Sequence, residues 1–117
     1  MKNKDTQLDP NQLCKYIDSI GYKESNILKE LRDETAKLGD VSIMQIGATQ
    51  GALIEMIIKL GKFTRCIEIG VFTGYSSICI ASAMPENGKL FALEKSKEFT
   101  DIAKKYWDKA NLTNKIE

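Results

Sequence analysis

The sequence predicts an α/β chain in which helices come first and a βαβα unit with an incomplete parallel sheet follows. Three observations carry that reading. Two short apolar runs, Arg65–Ile69 and Lys89–Leu93, read as strands, and a helical pattern over 75–84 stands between them. The second run leads into another helical pattern over 96–110, which completes the alternation. Ahead of residue 62 the periodic segments have helical spacing.

The elements follow in order. Asp9-Pro10-Asn11-Gln12 starts a helix, with Asp9 as N-cap, Pro10 at the first helical position and Gln12 reaching back. Leu13, Tyr16, Ile17 and Ile20 lie on one face of it, and Gly21 ends it. A second helix over 25–38 buries Leu28, Leu31 and Leu38 and stops at Gly39, and both helices are expected to be packing elements. The stretch 44–51 shows neither period. Leu53, Ile54, Ile57, Ile58 and Leu60 then form a third amphipathic helix closed by Gly61. In the helix over 96–110, Phe99, Ile102, Ala103, Tyr106, Trp107 and Ala110 make a continuous apolar face that belongs to the core. Residues 113–117 read as the approach to a third strand, so the sheet is expected to lack its remaining strands.

Composition narrows the function classes. The net charge of +1, with lysines interleaved among carboxylates, gives no basic stripe and so no nucleic-acid partner. Met1-Lys2-Asn3-Lys4-Asp5 lacks the apolar core of a signal peptide, and no apolar run approaches the ~20 residues of a membrane span, so a cytoplasmic protein is expected. Cys14, Cys66 and Cys79 sit in apolar surroundings without C-x-x-C spacing, which predicts buried free thiols. Histidine is absent, and with it Ser-His-Asp and Cys-His nucleophiles and any histidine metal site.

The chemistry-bearing segment is Cys66-Ile67-Glu68-Ile69-Gly70-Val71-Phe72-Thr73-Gly74-Tyr75-Ser76-Ser77, an apolar strand with one acid that breaks at glycine and enters a helix. Gly70 is expected to permit a turn where a Cβ would clash, and Gly74 to let backbone approach a ligand beside the free N–H groups of the new helix. Glu94, at the end of the second strand and about 20 residues after the loop, is placed to accept hydrogen bonds from ribose hydroxyls. A dinucleotide loop, G-x-G-x-x-G, needs glycine where Phe72 stands, so a pyrophosphate fits poorly. Glu68 repels phosphate and attracts a cation such as the α-ammonium of S-adenosylmethionine.

Taken together, these pieces resemble the cation-dependent class I S-adenosylmethionine O-methyltransferases of the caffeoyl-CoA and catechol type. The resemblance rests on Leu31-Arg32-Asp33-Glu34-Thr35, on Met44 with Gln50-Gly51, on the loop 67–77, on Leu93-Glu94 and on Ala103-Lys104-Lys105-Tyr106-Trp107. It implies a Rossmann-like methyltransferase fold, with 1–62 an N-terminal helical region and 63–117 the first half of the cofactor-binding domain. It places Glu68, Gly70, Val71 and Ser76 around the methionine moiety and Glu94 on the ribose. Ile46 matches a position that often bears a cofactor-touching threonine, where an aliphatic side chain leaves only backbone or apolar contact. The implied reaction is methyl transfer to a hydroxyl of a catechol-like small molecule. A divalent cation such as magnesium is expected for the full-length family, and a homodimer is possible there. Ligands for that cation and most of the acceptor pocket are expected beyond Glu117, so no catalytic or metal residue is assigned within this chain. Asp33-Glu34 does not substitute, because adjacent helical residues diverge within an ordinary charged face. The chain is therefore expected to be an N-terminal part, inactive alone. Two alternatives stand beside this: a non-catalytic module that pairs its open sheet with a partner chain, and a dehydrogenase fragment disfavoured by Phe72 and Glu68.

Overall fold

The computed structural model describes residues 9–117. Its elements are α1 (Pro10–Ile20), α2 (Asn26–Ala36), a 3-10 helix (Gly39–Met44), α3 (Ala48–Gly61), β1 (Arg65–Ile69), α4 (Tyr75–Ala83), β2 (Lys89–Leu93) and α5 (Lys97–Lys109). Short polar side chains start three of the helices. Asp9 accepts from the Asn11 N–H at 3.0 Å, Ser25 from Leu28 at 3.3 Å and Ser96 from Phe99 at 3.4 Å.

The strands pair in parallel with Arg65 opposite Lys89 and Ile69 opposite Leu93. Residues 115–117 lie along the far edge of β2: Leu90 N–H donates to the Lys115 carbonyl and Glu117 N–H to the Leu90 carbonyl, both at 2.8 Å. The expected approach to a third strand is thus a parallel bridge between Leu90 and Ile116. Parallel pairing needs a covered crossover, and α4 supplies it. Tyr75, Ile78, Cys79 and Ala81 of α4 are buried around most of its circumference, against Leu28 and Leu31 of α2, Ile58 of α3 and Ala103, Tyr106 and Trp107 of α5. Gly51 lets α3 approach, since a Cβ there would lie 2.9 Å from Cys79 Sγ and 3.0 Å from Tyr75 Cε1.

Three expectations need correction. Helix α1 buries no residue, and Leu13, Tyr16 and Ile20 remain 42–64% exposed, so its apolar stripe has the period of a packing helix but no partner among the described residues. Cys14 on it is consequently exposed, Cys66 is half-buried and only Cys79 is buried. Leu38 lies beyond the end of α2 and is only half-buried. The stretch 44–51, which shows neither period, holds the last residue of the 3-10 helix, the irregular link 45–47 and the first turn of α3, whose N-cap Gly47 offers no side chain to read. Counted together, Gly39–Gly61 is 23 residues with a window of mean hydropathy 1.4, long and apolar enough to span a membrane by composition. Gln45-Ile46-Gly47 interrupts it, and α3 packs on α4.

Gly74 marks the tightest contact between the βα turn and α5. Its φ is +88°, and a Cβ would stand 2.7 Å from Trp107 Nε1 and 2.8 Å from Ala103 Cβ. Gly74→Ala combines left-handed strain with overpacking and is expected to cost at least about 2 kcal/mol of stability. Gly70→Ala, at φ +84° with nothing within 4 Å of its Cβ, meets the strain alone and is expected to cost less. Urea titration of the two variants checks the ranking.

Candidate cofactor-binding site

The turn from β1 to α4 carries three residues in the left-handed region: Gly70 at φ +84°, Phe72 at +52° and Gly74 at +88°. The glycines are used differently from the expectation. Gly70 is required for its backbone angle rather than to avoid a clash, and Gly74 for close packing on α5 rather than for ligand approach. Phe72 pays the usual penalty of a non-glycine residue in this region and is held from outside. Its ring meets Phe99 edge-on, with centroids 4.7 Å apart.

Glu94 is the second support. One carboxylate oxygen accepts from the Val71 and Phe72 N–H groups at 3.1 and 2.9 Å, and the other from Ser96 N–H at 2.9 Å. The Ser96 and Phe72 amides hold this carboxyl below its usual range, so it stays ionised. A carboxylate offers about four acceptor positions, and the backbone takes three of them. In this arrangement Glu94 has room for about one further donor rather than a hydroxyl pair.

Glu68 points from β1 toward the first turn of α4. Its oxygens accept from the Ser76 hydroxyl and, at 2.5 Å, from the Ser77 hydroxyl. Burial pushes its carboxyl above the ordinary range, against the opposing effect of those two hydrogen bonds. The fold therefore favours the protonated form. Its contribution to stability is full below the unfolded carboxylate range and is lost as pH rises through the folded pKa. Glu68→Gln keeps both serine partners, because either hydroxyl can rotate to accept from the amide. It is expected to match the parent in mild acid and to melt higher than the parent near neutral pH. Thermal scans across pH check this.

An open groove of about 570 Å³ at the carboxyl ends of the strands is lined by Ile69, Gly70, Ala92, Leu93, Glu94 and Lys95. A smaller cleft of about 80 Å³ adjoins it at Gly70, between residues 44–46 and the turn 70–76. Of the residues singled out from sequence, Gly70 and Glu94 line the groove, and Ile46, Gly70, Val71 and Ser76 line the cleft. Glu68 lines neither and sits behind Ser76 and Ser77. The Ile46 carbonyl accepts from Arg32 at 3.1 Å, which leaves mainly apolar contact for a ligand. Sequence reading missed Gln45 and Thr73 in the cleft and Lys95 in the groove. Thr73 stands inside the quoted loop and was the readable signal; Gln45 had none. Glu34 is taken up by Lys105 Nζ at 2.7 Å and Tyr106 Oη at 2.6 Å, which makes it a tie between α2 and α5. Burial pushes the Cys79 thiol up to about 12, so it is an inert core group. Among the described residues no three His, Cys, Asp or Glu side chains cluster to hold a metal ion, and the residues present do not fit the cation expected for the full-length family.

A sheet whose strands end at a groove, with a glycine turn and an acid on the next strand, defines the cofactor half of a Rossmann-like nucleoside-binding fold. The O-methyltransferase family model matches residues 18–117, and the chain belongs to that family. It is 40% identical over 112 residues to caffeoyl-CoA O-methyltransferase 2 of Petunia hybrida, covering 94% of this chain and 46% of that protein. Caffeoyl-CoA O-methyltransferase 1 of Nicotiana tabacum is 38% identical with the same coverage. The chain thus spans about half the length of the curated relatives it matches. Among solved structures, the O-methyltransferase TomG of Streptomyces achromogenes, in complex with SAM, superposes with a TM-score of 0.82 at 29% identity, covering 91% of this chain and 47% of its own.

Proposed function

We propose that this chain provides the S-adenosylmethionine-binding half of an O-methyltransferase acting on a hydroxyl of a small, catechol-like molecule. The observation that carries the reading is the adjoining pair of clefts at Gly70, with the ionised Glu94 lining one and the turn 70–76 the other. When bound, the cofactor supplies the methyl group. Gly70 leaves open space beside its Cα for the ligand, Glu94 keeps an acceptor position for a ribose hydroxyl, and Ile46 and Val71 give apolar walls. TomG, which binds SAM, and the caffeoyl-CoA O-methyltransferases that share this half support the choice of cofactor and of acceptor class. The Phe72 position argues against a dinucleotide, since its side chain and backbone are both held in the turn. Calorimetry with S-adenosylhomocysteine is the test: saturable binding that NAD does not displace is expected. Binding of NAD with none of S-adenosylhomocysteine would replace this reading with the dehydrogenase one.

A further inference from the structure

The turn is gripped on a second side by a polar network that starts in α2. Arg32 projects its guanidinium toward four groups. Nε donates to Glu24 Oε1 at 2.7 Å, one terminal nitrogen donates to Gln45 Oε1 at 3.2 Å, and the other donates to the Ile46 carbonyl at 3.1 Å. Its Cζ lies 4.6 Å from the centroid of the Tyr75 ring, at the first residue of α4. Tyr75 in turn donates to the same Glu24 oxygen at 2.5 Å, so the guanidinium is boxed by carboxylate, amide, carbonyl and ring.

Gln45 carries the connection onward. With its oxygen facing Arg32, its amide nitrogen donates to Thr35 Oγ1 at 3.0 Å and to Thr73 Oγ1 at 3.2 Å. Those two hydroxyls also bond each other at 2.9 Å, and both threonines are buried. The orientation is forced, because a flipped amide would set its N–H groups against the guanidinium. Thr73 directly follows Phe72, whose left-handed backbone has to be held in place. Glu94 holds the Val71 and Phe72 amides on the strand side, and the Gln45 amide holds Thr73 on the helical side.

We propose that Arg32 and Gln45 are positioning residues for the glycine turn, a strut through which the N-terminal helices set cofactor affinity without touching the cofactor's reacting atoms. The proposal rests on the cofactor reading above for its effect on affinity, but its effect on the turn stands independently. The strut acts by removing freedom from a turn that would otherwise have to be ordered when ligand binds. Losing one partner leaves buried hydroxyls with fewer bonds in a water-poor site, where unmade hydrogen bonds are costly.

The test uses the 117-residue chain at low micromolar concentration, with amide hydrogen exchange of Val71, Phe72 and Gly74 and calorimetry of S-adenosylhomocysteine. Gln45→Leu and Thr73→Val are each expected to speed exchange of those amides about tenfold and to weaken binding by a similar factor. Leu90 and Cys79 in the core should keep their exchange rates. Thr73→Ser, which restores the hydroxyl, is expected to recover both readings, whereas a general packing defect would not be rescued by the smaller residue. Unchanged exchange at the turn in Gln45→Leu and Thr73→Val overturns the strut whatever the ligand does. Faster exchange at the turn in the two variants, with a parent chain that binds no S-adenosylhomocysteine, keeps the strut and overturns the cofactor reading instead.

Discussion

Glu94→Ala is expected to weaken S-adenosylhomocysteine binding at least tenfold, about 1.4 kcal/mol, and to loosen the glycine turn before any ligand is added. Two losses combine. The first is the proposed hydrogen bond to a ribose hydroxyl, which a charged acceptor makes worth about 1.5–3 kcal/mol. The second is the clamp on the backbone, since the Val71, Phe72 and Ser96 N–H groups all end on this carboxylate. Glu94→Gln is a poor substitute here, unlike the glutamine at position 68. At position 94 the partners are backbone amides, which only donate, so an amide nitrogen turned toward them faces two N–H groups in opposition. Calorimetry gives the binding loss, and exchange of the Val71 and Phe72 amides gives the clamp. Unchanged affinity would remove Glu94 from the site. Because its folded pKa is lowered, the clamp's contribution to stability is present above the unfolded carboxylate range and is lost as pH falls through the folded value.

The strands were legible because their signals are local. Arg65–Ile69 and Lys89–Leu93 are apolar runs bounded by glycine or proline punctuation, and the structure places both at those limits. The N-caps Ser25 and Ser96 are short-range signals of the same kind. The start of α3 was hidden, since Ala48-Thr49-Gln50 has no apolar period and Gly47 has no capping side chain. The site was half legible for a related reason. Glu68, Gly70, Val71 and Ser76 lie in one stretch, while the network that supports the turn joins Arg32, Thr35 and Gln45 to Thr73 across separate elements. No spacing rule reaches that far. The double engagement of Glu94 was equally invisible, because an acid after a strand reads as free until the backbone around it is seen.

The sheet leads to the last expected result: the 117-residue chain alone will not methylate a catechol at a measurable rate and will associate as its concentration rises. Side chains alternate along β1, with Cys66 and Glu68 half-buried on the α4 side while Ile67 and Ile69 are 69% and 84% exposed on the other. Leu93 of β2, on that same face, is 56% exposed. A parallel sheet is normally covered on both faces, and among the described residues β1 has no neighbour on its outer edge. An apolar face beside unpaired N–H and C=O groups is a template for another chain. Methyl transfer also requires an acceptor wall that holds the reacting atoms about 3–3.5 Å apart, and the open groove at Gly70 and Glu94 provides one side only. Co-expression with the complementary half of a caffeoyl-CoA relative is therefore expected to give a one-to-one complex that transfers methyl groups. Ile67→Lys with Ile69→Lys should abolish both the association of the free chain and the complex, because burying two unpaired ammonium groups costs more than the apolar contact gains. Light scattering after size exclusion and a methyl-transfer assay read the two effects. Robust turnover by a monomer of the short chain would mean that this chain's own residues complete the acceptor site, and the uncovered face of β1 would then have no part in the reaction.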